Sequence, residues 1–236
     1  MNIQTKIDPI KAAYDGQAFT YFDLETIPSQ DPDLLEIFKA GITAPATYKK
    51  PESIEKWLAE NREAAAKEKL AKTSFDGGYG HICTIAWAKN DGDIYVAHAR
   101  TLGDERCILE DFFADFDQYH SETLVGHNIS GFDLAFLRKR AVALGVKMPD
   151  RTSLPRDPKP WDTSIVDTMT AWAGGRDRIS MDELCKILGI EGKGGFDGSM
   201  VAEAWANGEH DKISEYCKDD VHRTREIHKR FLVAGY

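Results

Sequence analysis

The pattern of apolar and polar positions puts strand-like runs first and helix-like runs later. Gln17 to Asp23, QAFTYFD, is aromatic and β-prone and predicts a strand. His81 to Ala88 and Asp93 to Ala99 flank Lys89-Asn90-Asp91-Gly92, and two β-prone runs around such a turn predict a hairpin. Leu124 to Gly126 and Ser164 to Asp167 are short enough and apolar enough to be buried strands. Between the first strand and the hairpin, Ser29 to Lys50 carries scattered prolines and reads as a loop or insertion. Ser53 then precedes Ile54, Trp57, Leu58 and Leu70 in a run rich in Ala, Glu and Lys, which predicts a helix capped by Ser53 with a solvated, highly charged second half. Phe75 to Gly80, FDGGYG, reads as a turn.

From Glu105 to Tyr119 the residues Ile108, Leu109, Phe112, Phe113 and Phe116 recur at helical spacing. Phe132 to Leu144 predicts another helix with Gly145 as its C-terminal cap. Arg151 to Pro160 is proline-rich and loop-like. Short helices are expected around Met181 to Leu188 and Met200 to Ala206, separated by a glycine-rich loop over Glu191 to Gly198. Asp211 to Leu232 is the final helix, with Ile213, Tyr216, Val221, Ile227 and Phe231 along it. Strands that come first and then alternate with helices suit an α/β sandwich around a mixed sheet. No domain boundary stands out, so residues 1–236 read as one domain with a partly helical insertion at about 29–80.

Composition narrows the picture only a little. A chain of 236 residues, 42% hydrophobic and 29% charged, can bury a sizeable core without a disulfide or structural metal. No apolar run reaches bilayer length, and the first sixteen residues lack the apolar core of a signal peptide, so a cytoplasmic protein with no membrane partner is expected. Cys83, Cys107, Cys185 and Cys217 have neither C-x-x-C nor zinc-ligand spacing and read as reduced thiols. The net charge of −9 argues against a protein that coats nucleic acid through a broad basic surface. It leaves open an enzyme that grips one strand end, where bound cations reverse the local sign.

Three acidic patterns carry candidate chemistry. Asp23-Leu24-Glu25 lies at the end of the first predicted strand, where alternation puts both carboxylates on one face. Asn128 to Asp133, NISGFD, puts Asp133 at a helix start, and Tyr216 to Asp220, YCKDD, puts Tyr216 and Asp220 on one face of the last helix. Alone, each has an ordinary explanation: polar residues at a strand end, a helix cap, a core tyrosine beside a solvated acidic pair. Together, each occurs once, on the element its geometry requires.

In this combination the sequence resembles the exonuclease superfamily named for its four acidic residues, which shares the ribonuclease-H-like fold. The D-x-E motif is matched by Asp23 and Glu25, the N-x-x-x-[FY]-D motif by Asn128, Phe132 and Asp133, and the Y-x-x-x-D motif by Tyr216 and Asp220. The last is the tyrosine-subclass form; position 215, where the sister subclass has histidine, is Glu215. Ser164 to Thr168, Ser180 to Ile190 and Gly192 to Val201 extend the likeness. It is to predicted exonucleases related to the proofreading domain of family B DNA polymerases, which carry a lysine-rich helical insertion after the first motif, as Lys49 to Lys72 does here.

The resemblance implies a mixed sheet of about five strands flanked by helices and removal of nucleotides from the 3′ end of single-stranded DNA as 5′ mononucleotides. It implies a pair of divalent cations, Mg²⁺ or Mn²⁺, roughly 3.5–4 Å apart. Asp23 would bridge both; Glu25 and Asp220 would complete the site of the attacking water; Asp133 would hold the second cation. Tyr216 would position the nucleophile, because a phenol is a poor base at neutral pH. Leu24 would wedge against the last base, and Thr26, Asn128 and Phe132 are further candidates to touch substrate. Phe22, Trp161 and Phe196 read as packing residues before base-stacking ones, Lys193 as part of a surface loop, His127 as a satisfied histidine at a strand end, and Asp167 as a group that orients a strand end. Asp219 competes with Asp220, and the spacing to Tyr216 selects Asp220. The alternatives are an RNA 3′-end-processing exonuclease with the same site, or a binding module without catalysis. A replication or repair partner acting in trans fits the first reading.

Overall fold

The computed structural model describes residues 16–116, 122–149, 154–155, 158, 162–192 and 194–235. Five strands form one sheet: β1 Ala18–Ile27, β2 His81–Lys89, β3 Tyr95–His98, β4 Glu122–Gly126 and β5 Ile165–Asp167, in the order β3-β2-β1-β4-β5. β2 runs antiparallel to β1 and to β3, whereas β4 is parallel to β1 and β5 is parallel to β4. This is the mixed α/β, ribonuclease-H-like sheet expected from the sequence. Eight α-helices are described: α1 Leu34–Gly41, α2 Pro51–Ala71, α3 Glu105–Asp115, α4 Asp133–Leu144, α5 Thr168–Ala173, α6 Met181–Leu188, α7 Val201–Ala206 and α8 His210–Ala234. None of the described helices is long and apolar enough to cross a membrane.

Alternation along β1 sorts its side chains to two layers. Phe22 and Leu24 face α3 and α4, in a core with Leu109, Phe112, Phe136 and Leu137. Phe19 and Tyr21 face the other way, in a core with Val125 and with Cys217 and Val221 of α8. Ile27, at the end of the strand, packs with Val201 and Ala204 of α7 and with Ile213.

The element boundaries differ from expectation in instructive places. β1 continues past Asp23 because Glu25, Thr26 and Ile27 keep pairing with β2 after a register shift between Glu25 and Thr26. The first two acids therefore lie inside the strand, next to a bulge, rather than at its tip. The segment 29–50 is not all loop: it holds α1, a helix of eight residues whose buried positions are only Leu34 and Phe38. α2 starts at Pro51 rather than at a Ser53 cap; proline at the first helical position gives up an N–H that has no partner there anyway. α5 follows β5 directly, because the Asp167 carboxylate accepts the N–H groups of Met169 and Thr170 and caps it. Trp161, Lys193 and most of the expected 151–160 loop lie outside the described residues.

Candidate active site

Asp23 and Glu25 point to the sheet face that α8 covers. Asp23, Glu25 and Cys217 each bring a ligand atom to within 4.8 Å of the others. The Cys217 thiol lies 3.4 Å from the Asp23 carbonyl oxygen and 3.7 Å from its Oδ2, a weak donor to both. Tyr216 and Asp220 lie one turn apart on the same helix face and are hydrogen-bonded to one another. Burial pushes the Tyr216 phenol far above its ordinary value, and the charges of Asp220, Glu25 and Asp23 push it further. One phenol thus senses three of the four acids. Asp220 is 4% exposed and takes a 2.9 Å hydrogen bond from Arg223 Nη1, whereas the Asp219 side chain is 63% exposed.

Asp133 reaches the same place from the other layer. β4 pairs with β1 only as far as Val125 opposite Tyr21, and it ends at Gly126 while β1 runs on to Ile27. That leaves a notch beside the second half of β1. The Leu24 N–H, between the two motif acids, donates to the Asp133 carboxylate there. Asp133 is 3% exposed at the first turn of α4. Burial is the main cause that raises its carboxyl to about 7; the negative Asp167 nearby raises it too, and the Leu24 N–H offsets part of the shift. A carboxyl so placed takes up a proton readily, and by the same logic a cation.

The loop that delivers Asp133 is held tightly. Asp167 accepts the Asn128 N–H at 2.9 Å and the Ser130 N–H at 3.0 Å, besides capping α5. Asn128 adopts φ 65°, a left-handed conformation that asparagine tolerates better than most residues. A Cβ at Gly126 would stand 2.0 Å from Ile129 Cγ2, and one at Gly131 would stand 2.6 Å from Asn128 Oδ1. Both glycines are required by close approach. Asn128 Oδ1 is buried with no hydrogen-bond partner among the described residues.

The expected site residues fall into groups. Asp23, Glu25, Tyr216 and Asp220 meet on one face of β1, and Asp133 enters beside Leu24. Thr26, Asn128 and Phe132 keep partial exposure near them. Leu24 is 4% exposed with its side chain in the α3–α4 core, so what it brings to the site is the backbone N–H that holds Asp133 rather than an apolar surface. Phe22 is fully buried in that core, and Phe196 packs edge-on against Tyr216 with ring centroids 5.0 Å apart. His127 is satisfied by Thr168 Oγ1 and the Ile179 carbonyl. Sequence reasoning missed Cys217 and Arg223. Their signal was the helical period: Cys217 and Arg223 stand three residues before and after Asp220.

Three comparisons with known proteins bear on this chain. Residues 78–234 match the model of a family described as predicted 3′–5′ exonucleases related to the exonuclease domain of PolB. The chain belongs to this family. By membership it is a predicted 3′–5′ exonuclease, an enzyme that hydrolyses nucleic acid. The match contains Asp133, Tyr216 and Asp220; Asp23 and Glu25 precede it. A curated relative, a DNA polymerase of Archaeoglobus fulgidus, is 27% identical over 178 residues, 66% of this chain and 20% of the polymerase. The family B DNA polymerase of the hyperthermophilic archaeon Pyrobaculum calidifontis superposes with a TM-score of 0.59 at 19% identity, covering 92% of this chain and 24% of the polymerase. That superposition bears on the fold alone. The chain thus spans about a fifth to a quarter of the length of these polymerases.

Proposed function

We propose that the chain removes nucleotides from the 3′ end of single-stranded DNA, releasing 5′ mononucleotides, with two divalent cations held by Asp23, Glu25, Asp133 and Asp220. The observation that carries this reading is the convergence of acids from three separated segments on one stretch of β1. Carboxylate oxygens suit hard cations such as Mg²⁺ and Mn²⁺, and a partly protonated Asp133 beside them fits a site that gains by binding positive charge. When bound, such cations activate the attacking water and stabilise the departing 3′ oxygen.

The chain's own groups do the rest. Tyr216, its phenol raised by burial and by its acidic neighbours, keeps its proton at neutral pH and donates it to the Asp220 carboxylate, so it orients the nucleophile by accepting a hydrogen bond from it rather than by taking its proton. Arg223 holds one oxygen of Asp220 and so fixes where the other points. Asp167 fixes the 128–133 loop and, through it, Asp133. Thr26, Asn128 and Phe132 border the strand end. The choice of DNA follows the DNA polymerases among the relatives. We read the chain as one exonuclease unit in which residues 29–80 are an insertion between β1 and β2.

The test is digestion of a 5′-labelled single-stranded DNA oligonucleotide with Mg²⁺, Mn²⁺ or EDTA, with matched RNA alongside. The expected result is a metal-dependent ladder shortening from the 3′ end, faster on DNA. Preferential digestion of RNA would reassign the substrate, and no cleavage of either strand with any metal would remove the catalytic reading.

A further inference from the structure

Near its end the insertion forms a short 3₁₀ turn, Lys72–Phe75, and this stretch is fastened to two of the three acid-bearing elements, β1 and α4. Thr26, directly after Glu25, donates its hydroxyl to the Ser74 carbonyl at 2.7 Å. The Ser29 N–H donates to Thr73 Oγ1 at 2.8 Å. Gly80 lies so close to the turn that a Cβ there would stand 2.4 Å from the Thr73 carbonyl oxygen. On the α4 side Asp76 pairs with Lys139, and a Cβ at Gly77 would stand 2.9 Å from the Phe136 carbonyl oxygen.

On this clamped turn Phe75 is 72% exposed. Its ring lies edge-on to Phe132 at 6.4 Å between centroids, and Phe132 is followed by Asp133. A large apolar ring held out by a rigid turn, next to an aromatic residue at the acid cluster, is placed to meet an apolar surface from outside. The broad, flat apolar surfaces of a nucleic-acid strand are its base faces. In a chain of net charge −9 such contacts add to binding without relying on attraction to the phosphates.

We propose that Phe75 is a base-stacking residue, and that the insertion serves to bring it to the mouth of the site beside Phe132. The occupant is the base of the penultimate nucleotide. In the proposed reading Asp133 holds the cation that stabilises the departing 3′ oxygen, which belongs to that nucleotide; Phe132 directly precedes Asp133 and touches Phe75. This inference rests on the exonuclease reading above.

The experiment is steady-state digestion of a single-stranded DNA oligonucleotide by wild type, Phe75→Ala, Phe75→Trp and, as an exposed aromatic on the edge strand β3, Tyr95→Ala. The p-nitrophenyl ester of thymidine 5′-phosphate, which has no second base, is the parallel substrate. Loss of one stacking contact raises KM for the oligonucleotide about five- to a hundredfold in Phe75→Ala. The ester is cleaved as before, Phe75→Trp restores KM, and Tyr95→Ala changes nothing. An abasic penultimate position penalises wild type more than Phe75→Ala. An unchanged oligonucleotide KM in Phe75→Ala, or an equal loss on oligonucleotide and ester, overturns the stacking role while leaving the exonuclease reading intact. A wild-type protein that cleaves neither substrate removes the exonuclease reading and this inference together.

Discussion

Two buried charged clusters sit a few residues apart in this fold and are built in opposite ways. Glu105 of α3 is 1% exposed, yet its carboxylate receives Arg140 Nε and Nη2 at 2.7 Å each, His81 Nδ1 at 3.0 Å and the Ile82 N–H at 2.8 Å. Burial alone would push that carboxyl up; the His81 and Arg140 hydrogen bonds outweigh it and hold it below its ordinary value. Asp133, equally buried, faces another acid and is pushed up to about 7. The first cluster balances its charge and ties α3, α4 and β2 together. The second gathers Asp23, Glu25, Asp133 and Asp220 around one stretch of strand and keeps an excess of negative charge. Burial is much the same in both; what separates the brace from the proposed cation site is how far the chain supplies the counter-charge itself.

The largest expected effect tests that contrast on activity. Asp23→Asn should lower 3′-end digestion at least about a thousandfold, about 4 kcal/mol of transition-state stabilisation. It should leave the metal-free melting midpoint undiminished, because it removes charge from an acid-rich cluster. The balanced cluster should answer in the reverse sense. Arg140→Met strands the Glu105 carboxylate and should cost about 3–5 kcal/mol in denaturant unfolding. A normally stable Arg140→Met, or a badly destabilised Asp23→Asn, would dissolve the distinction.

The next effect is on pH. Folded, Asp133 keeps its proton up to about pH 7; unfolded, it releases it near the ordinary aspartate value of 3.8. Between these values the native chain binds more protons, so this group's contribution to metal-free stability falls as pH rises. Glu105 and His228 act in the opposite direction. Glu105 is lowered, so its contribution is lost as pH falls through its folded value. Burial lowers His228 to about 4, so its contribution is lost as pH falls from 6.5 towards 4. The difference between wild type and Asp133→Asn isolates the Asp133 part. Denaturant unfolding in EDTA from pH 4.5 to 7.5 should show the wild type losing about 1–4 kcal/mol relative to the variant. Stabilisation by Mn²⁺ should grow over the same range, since the cation displaces the proton. Parallel pH curves for the two proteins would mean that Asp133 is already ionised in the folded state.

Much of this was legible in the sequence because it depends on short-range periods. Alternation put Asp23 and Glu25 on one face, and the helical repeat joined Tyr216 to Asp220. The five strands follow from β-prone runs and turn residues. What was not legible depends on where strands stop relative to one another. The notch that admits Asp133 exists because β4 ends beside Phe22 while β1 runs on to Ile27, and no local pattern encodes that offset. α1 was hidden because the prolines around it, Pro28, Pro32 and Pro45, masked the helical spacing of its buried Leu34 and Phe38. Leu24 was expected to face substrate from its place between two acids, yet the same alternation that turns the acids to α8 turns Leu24 into the opposite core.

The smallest expected effect concerns Cys217, which lies among the acids without being one of them. Its thiol stays protonated in the metal-free protein, because burial and the charges of Asp23, Glu25 and Asp220 raise it well above its ordinary value. In that state it is only a weak donor to Asp23. Cys217→Ala should therefore leave the rate with Mg²⁺ or Mn²⁺ within about tenfold of wild type, the lower end of what removing a group behind a metal ligand costs. A softer cation should tell the two proteins apart. Sulfur prefers Zn²⁺ or Cd²⁺ to Mg²⁺, and its atom already lies within 4.8 Å of the carboxylate oxygens of Asp23 and Glu25. If the thiol faces the cations, these ions should inhibit the wild type at lower concentration than Cys217→Ala, and the gap should narrow as pH falls and thiol protonation competes. Equal inhibition of both proteins would make Cys217 a packing residue of α8 and leave the excess charge of the cluster to the four acids alone.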